Sequence, residues 1–295
     1  MPRILAPVAD KWLARRRFGP MDCASMKITS GRAQLAAASH GTGDPTVLLL
    51  HAGVTDRRSW HHVVDALPVQ RCVSYDARGF GETTYQAQDG WSAVDDAVAV
   101  LDGYDVGSAV VVACSMGGRT ALDLALREPG RVRALVLIGP AVSGAPEPTY
   151  EPEVLALDPV WVAAEERDDG EALNRLEARL WLDGPTAPEG RVTGPARDLF
   201  LEMNATAQAA TDPGERAEDA TAWDRVGEIA VPTLVMVGEH DLAYVKQGCG
   251  HLAESIDGAR LVELPDVAHL PHLEGDRTTL AEIAAFVVGI SDRGC

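Results

Sequence analysis

Long apolar runs are missing from this 295-residue chain. No stretch approaches the roughly 18 residues that cross a bilayer, because Gly, Pro or a charge interrupts each one, and this excludes a membrane span. Cysteine is scarce. Cys23, Cys72, Cys114, Cys249 and Cys295 are odd in number, far apart and outside any CxxC or Cys/His grouping, which argues for free thiols and implies no metal site. Positive charge is the strongest deficit: the net charge is −18, and five of the 26 basic residues fall in the first 17 positions. The remainder repels nucleic acid phosphates. The run Arg15-Arg16-Arg17 reads as a solvated basic tail. Residues 1–29 also lack an apolar core of signal-peptide length, so cytoplasmic residence is expected. No repeat of 20 to 50 residues is visible, and the spacing gives no reading of oligomeric state.

What is present is a regular alternation. Apolar, β-branched runs occupy 46–53, 71–81, 108–115, 133–141, 232–241 and 259–269, and helical spacing fills 91–103, 117–128, 243–256 and 276–290. Buried strands alternating with helices predict an α/β fold with a mostly parallel central sheet. "MKITSGRAQLAAASHG" adds an antiparallel hairpin at the sheet edge. Ligands of such sheets bind outside the carboxyl ends of the strands.

The alternation stops once. Residues 143–230 open Pro-rich, carry helical stretches such as "EALNRLEARLWL" and "PARDLFLEMNATAQAA", and hold 20 acids against seven arginines. They read as a helical lid inserted over the strand ends. The expected organisation is therefore a basic extension (1–26), a first core part (27–142), the lid (143–230) and a second core part (231–295). Trp161, Trp181 and Trp223 either fix this lid to the sheet or line a substrate pocket beneath it.

"VVVACSMGGRTALDLAL" (110–126) carries the chemistry. A strand, a tight turn with small neighbours and an immediate helix form the geometry of a nucleophile elbow, which strains Ser115 and presents it at a helix N-terminus. The N–H of Met116 there can face a developing oxyanion. A serine needs a base, and the base needs an acid. Asp241 closes the fifth run and His269 the sixth, each placed after its strand, so the chain order is Ser115, Asp241, His269. Alone, Asp241 would read as a helix cap and His269 as a surface loop residue. His240 and His272 compete for the role of base, but one is expected to lie against Asp241 and the other in the next helical turn. The loop "HAGVTDRRSW" offers Gly53 N–H as the second oxyanion donor, with Val54 in reserve. Asp76 and Arg78 in "YDARGFGET" read as the lock of a tight turn.

Together, "HAGVTDRRSW", "YDARGFGET", "ACSMGGRTALDLAL", "VPTLVMVGEHDL" and "LPDVAHLPHLEGD" resemble the α/β-hydrolase superfamily over roughly 27–290. The chain is most similar to its small lid-bearing members, among them enol-lactonases, esterases and carbon–carbon bond hydrolases. The resemblance implies a Ser-Asp-His triad, an acyl-enzyme and no cofactor. Ala113 and Ala52 depart from the glycines usual at those positions. Serine at the elbow disfavours dehalogenase and epoxide hydrolase chemistry, which use aspartate there. The expected activity is hydrolysis of a small ester or lactone, of carboxylesterase or lactonase type, with a small molecule as the partner. Carbon–carbon bond hydrolysis, perhydrolase or cofactor-free haloperoxidase activity, and a non-catalytic ligand receptor are the alternatives. An acidic lid favours a neutral substrate unless an inward arginine such as Arg119, Arg175 or Arg179 compensates.

Overall fold

The computed structural model describes residues 24–217 and 221–291. The basic tail, Cys23 and Cys295 lie outside them. Strands β1 (Ala24–Ser30) and β2 (Ala33–His40) form the expected antiparallel hairpin, turned by Gly31 at φ +52°. A glycine at the first position of a two-residue turn fits the twist of the strands. The sheet continues with β3 (Gly43–Leu50), β4 (Gln70–Tyr75), the short β5 (Thr84–Tyr85), β6 (Ala109–Cys114), β7 (Val132–Ile138), β8 (Thr233–Gly238) and β9 (Arg260–Leu264). Its order is β1-β2-β4-β3-β6-β7-β8-β9, with β5 paired to β2. From β4 to β9 every neighbouring pair is parallel.

The six runs read from the sequence are these six parallel strands. Each strand stops one to six residues before its run does, and the last residues of each run enter the loops at the carboxyl ends of the strands. Alternate side chains of β6 enter two separate cores: Val111 and Ala113 face one, Val110, Val112 and Cys114 the other. Helices α2 (Ala93–Gly103), α3 (Met116–Arg127) and α9 (Ala243–Ser255) cover the first face. Helices α1 (His61–Ala66) and α11 (Arg277–Ser291) cover the second. Burial on both faces is why these strands are continuous rather than alternating in hydropathy.

The strand order reverses between β3 and β6, since β3 leads outward to β4 and β6 leads the other way to β7. That reversal opens a crevice at the carboxyl ends of two adjacent strands. Between β7 and β8 the chain inserts α4 (Pro152–Leu155), α5 (Asp158–Glu165), α6 (Gly170–Glu177), a π-helical turn (Ala178–Asp183), α7 (Pro195–Gln208) and α8 (Ala222–Arg225). The insertion is fastened at several points. Ser143 Oγ donates to Asp123 and accepts from Ala222 N, Arg191 pairs with Glu274, and residues 213–217 bond to residues 88–91.

The "YDARGFGET" turn behaves as its residue types suggest. Asp76 accepts from the backbone of Arg57 at 2.9 Å and of Glu82 at 2.8 Å, and also from the Arg57 side chain. Arg78 grips Asp96 of α2 through Nε–Oδ2 at 2.8 Å and Nη2–Oδ1 at 3.0 Å, with both side chains buried. Removing one partner of such a pair strands the other charge. Asp96→Ala is expected to lower unfolding stability by about 3–5 kcal/mol, read from urea denaturation midpoints against wild type.

Candidate active site

Ser115 is at φ +52° and ψ −115°, a conformation that non-glycine residues rarely hold. Its backbone serves two elements at once. The N–H donates to Ile138 O at 3.1 Å, extending the β6–β7 ladder, and the carbonyl accepts from Arg119 N at 3.1 Å and Ala141 N at 3.0 Å. A helix can start this abruptly only if its first turn is small. A Cβ on Gly117 would lie 2.2 Å from Leu50 O, and one on Gly118 would lie 2.4 Å from Pro140 Cβ. The two glycines therefore let α3 close against β3 and the loop after β7. The half-buried serine is left at the unpaired N–H groups of a 12-residue helix.

The loops after β8 and β9 bring Asp241 and His269 together. His269 Nδ1 lies 2.8 Å from Asp241 Oδ2, while Asp241 Oδ1 accepts from Leu242 N at 2.8 Å. Both residues are 2% exposed, so the pair is shielded from competing water. A carboxylate can only accept, so Nδ1 carries a proton and the lone pair of the neutral ring falls on Nε2. Nε2 has no hydrogen-bond partner, although it is buried. The ring is braced by Trp181, with centroids 4.7 Å apart, and the His269 carbonyl accepts from Cys114 Sγ at 3.5 Å. Burial holds the Cys114 thiol well above its usual range, so it stays protonated beside the serine.

Ser115 and His269 line one cavity of about 220 Å³, together with Gly139, Trp181, Trp223 and Tyr244. Trp223 is held there by stacking on His251. Trp161 is not part of it: its indole N–H bonds to Glu165 on the same exposed turn, so it neither lines the cavity nor packs in a core cluster. Gly139 was not singled out from the sequence. A Cβ there would lie 2.9 Å from Asp241 Oδ2 and 3.0 Å from His269 Nδ1, and its φ is +47°. The only signal was the Ile138-Gly139-Pro140 step at a strand end.

Gly53 and Val54 are the central residues of a turn closed by Thr55 N to Ala52 O at 3.1 Å. A Cβ on Gly53 would lie 3.7 Å from Met116 Cβ, so the loop backbone runs beside the residue that follows the serine. His51 fixes this loop. Its Nε2 accepts from Ala77 N at 3.0 Å, so Nδ1 is protonated and donates to Ala52 O at 2.8 Å. Burial pushes its pKa down.

The two competing histidines go elsewhere. His240 Nδ1 contacts Thr186 Oγ1 at 3.3 Å. His272 lies in α10 (Pro271–Glu274), stacked on Trp60 with centroids 4.1 Å apart. The three arginines proposed to face inward do not line this cavity; Arg175 pairs with Glu171, and Arg179 caps the Gly184 and Pro185 carbonyls. Folding also gathers ligand-type atoms of Glu239, His240 and Asp266 within 4.8 Å, which residue spacing had not suggested. Both carboxylates are exposed, and Glu239 already accepts from Asp266 N.

Comparison with known proteins identifies the family. A family model described as alpha/beta hydrolase fold matches residues 45–276, and the chain belongs to that family. It is 39% identical over 275 residues to the 2-hydroxymuconate semialdehyde hydrolase of Pseudomonas sp. strain CF600, covering 83% of this chain and 90% of that one. It is 25% identical to the pimeloyl-[acyl-carrier protein] methyl ester esterase of Nitrosospira multiformis, covering 87% and 99%. Its fold matches a thermophilic esterase from Thermogutta terrifontis with a TM-score of 0.70 at 24% identity, covering 91% and 98%. The relatives are hydrolases, and the chain is a hydrolase of this fold. No helix among the described residues is long and apolar enough to cross a membrane.

His272 links folding stability to pH. Burial, followed by the neighbouring histidines, pushes its pKa from 6.5 down to about 3, so the folded protein holds it neutral. The unfolded chain binds that proton below 6.5. The stabilisation is therefore complete above pH 6.5 and falls by about 1.4 kcal/mol per pH unit as pH drops toward 3. His272→Phe, which keeps a ring on Trp60, is expected to lose less stability than wild type between pH 7 and pH 5 in urea titrations.

Proposed function

We propose that this hydrolase cleaves a small ester or lactone through an acyl-enzyme on Ser115. The observation that carries the reading is the Asp241–His269 pair, which leaves Nε2 with an open lone pair in the same cavity as the strained serine. In this mechanism Nε2 takes the Ser115 proton as Oγ attacks the carbonyl carbon. Asp241 holds the tautomer and stabilises the imidazolium that forms. The N–H groups of Met116 and Gly53 stabilise the tetrahedral oxyanion, aided by the α3 dipole. His269 returns the proton to the leaving oxygen, then activates a water that releases the acid and restores the serine.

The inserted helices act as the lid and supply Trp181 and Trp223 to the pocket wall. Relatives with methyl ester esterase and esterase descriptions support the ester reading. A second reading has one specific support, the 39% identity to a semialdehyde hydrolase. In it the same serine and histidine act on a carbon–carbon bond next to a ketone, and the carbon fragment leaves protonated.

Intact mass after brief exposure to a fluorophosphonate tests the serine. A single adduct is expected on wild type and none on Ser115→Ala, with labelling of His269→Ala slower by about 10²–10⁴. Gly139→Ala, whose methyl group presses on the Asp241–His269 hydrogen bond, is expected to label about tenfold more slowly. A folded wild-type protein that takes no adduct overturns the mechanism. Parallel turnover of methyl esters, lactones and a vinylogous diketone then separates the two readings.

A further inference from the structure

The proposed chemistry leaves a second cavity unused. It offers about 40 Å³ of water-accessible space, enough for a small polar group, and is lined by Tyr75, Arg78, Trp91, Asp96, Met116 and Arg216 among others. The two cavities meet the elbow at consecutive residues: Ser115 lines the first, and Met116 and Gly117 line the second. Met116, an unbranched and adaptable side chain, stands at the junction.

The two linings have opposite chemistry. In the first, Glu147 is the one formally charged side chain, set among prolines, tryptophans and small apolar residues. The second holds two guanidinium groups and one carboxylate. Arg78 and Arg216 both attend the indole of Trp91, with Cζ 5.1 Å and 5.7 Å from the ring centroid. Arg78 spends Nε and Nη2 on Asp96 and on Ser30 O, yet Nη1 is buried with no acceptor. A buried guanidinium N–H without an acceptor is a standing donor for an anion. The Tyr75 hydroxyl stays protonated there because burial raises its pKa. Arg216 reaches this place because its segment runs as a bridge beside Trp91, with Ala217 N donating to Trp91 O at 2.8 Å.

We infer that the two cavities are the halves of one substrate site and that the substrate is an ester or lactone with an apolar side and a carboxylate end, the carboxylate lying between Arg78 and Arg216. The inference rests on the hydrolase reading above and adds the substrate class. It differs from the expectation of a neutral substrate: the acidic excess belongs to the insertion as a whole, whereas this cavity receives one of its arginines.

Methyl hexanoate and monomethyl adipate test it, since they differ only in the terminal carboxylate. Wild type is expected to favour the adipate ester in kcat/KM by about tenfold or more. Arg216→Gln should lose that preference through KM, and Arg216→Lys should keep part of it. Calorimetric titration of hexanoate into wild type and Arg216→Gln reads the subsite without turnover, with binding expected in the first and lost in the second. A wild type with no preference, or an Arg216→Gln variant that loses both esters equally and melts earlier, overturns the inference and leaves Arg216 as a fastener of the insertion. An adduct with fluorophosphonate but no hexanoate binding refutes the subsite alone. Hexanoate binding lost in Arg216→Gln, without any adduct, refutes the hydrolase mechanism and keeps the subsite.

Discussion

The contact on which the rest of the site depends is the approach of α3 to the end of β3, where nothing larger than hydrogen fits between Gly117 and the Leu50 carbonyl. With α3 that close, Ser115 must turn from strand to helix in one residue, and its positive φ follows. Such a conformation costs about 1–3 kcal/mol. Each fully buried Val or Leu contributes about 1.5–3 kcal/mol, and Val110, Val111, Val112, Leu122 and Leu124 on the two adjoining elements are all 0% exposed. The packing exceeds the strain several times over. A central strand buried on both faces is the place where a strained residue is best retained, and the strand-order reversal beside β6 makes that same place a crevice.

Three buried histidines around this crevice show how partners, rather than residue type, divide the work. His51 has both ring nitrogens tied to backbone groups, which fixes the loop after β3 and leaves neither nitrogen open. His272 has neither nitrogen bonded and lies flat on Trp60, where its value is packing. His269 has one nitrogen held by Asp241 and the other open. Only that arrangement can accept a proton on one side while a carboxylate stabilises the charge from the other. The asymmetry, not the burial, sets His269 apart from the other two.

Much of this was legible in the chain. The parallel strands follow from β-branched runs, α3 from its glycines and the spacing after them, and the convergence of Ser115, Asp241 and His269 on one cavity region from their positions after strands. What escaped depends on contacts between segments distant in sequence. Gly139 resembles any strand-end glycine until Asp241 and His269 are seen against its α-carbon. Trp161 and Trp181 belong to the same insertion and the same residue type. Only the folded arrangement shows that one finds Glu165 on its own helix while the other meets His269. Arg175 was a candidate because of its place in the insertion, but a glutamate four residues earlier already claims it.

The insertion is where substrate choice and stability become one problem. It is fastened to the core on one side by Arg191 to Glu274 and on another by the backbone bridge between residues 213–217 and 88–91. Those fastenings also determine which insertion side chains reach the crevice: Trp181 and Trp223 arrive at the serine, and Arg216 arrives at Trp91. A sum of charges over the segment averages the outer surface with the inner wall. Exposed acids far from the crevice are screened by solvent over a Debye length of about 8 Å. A single guanidinium inside a partly closed cavity is screened far less, so the charge of the inner wall is read from the residues that line it rather than from the sum over the segment.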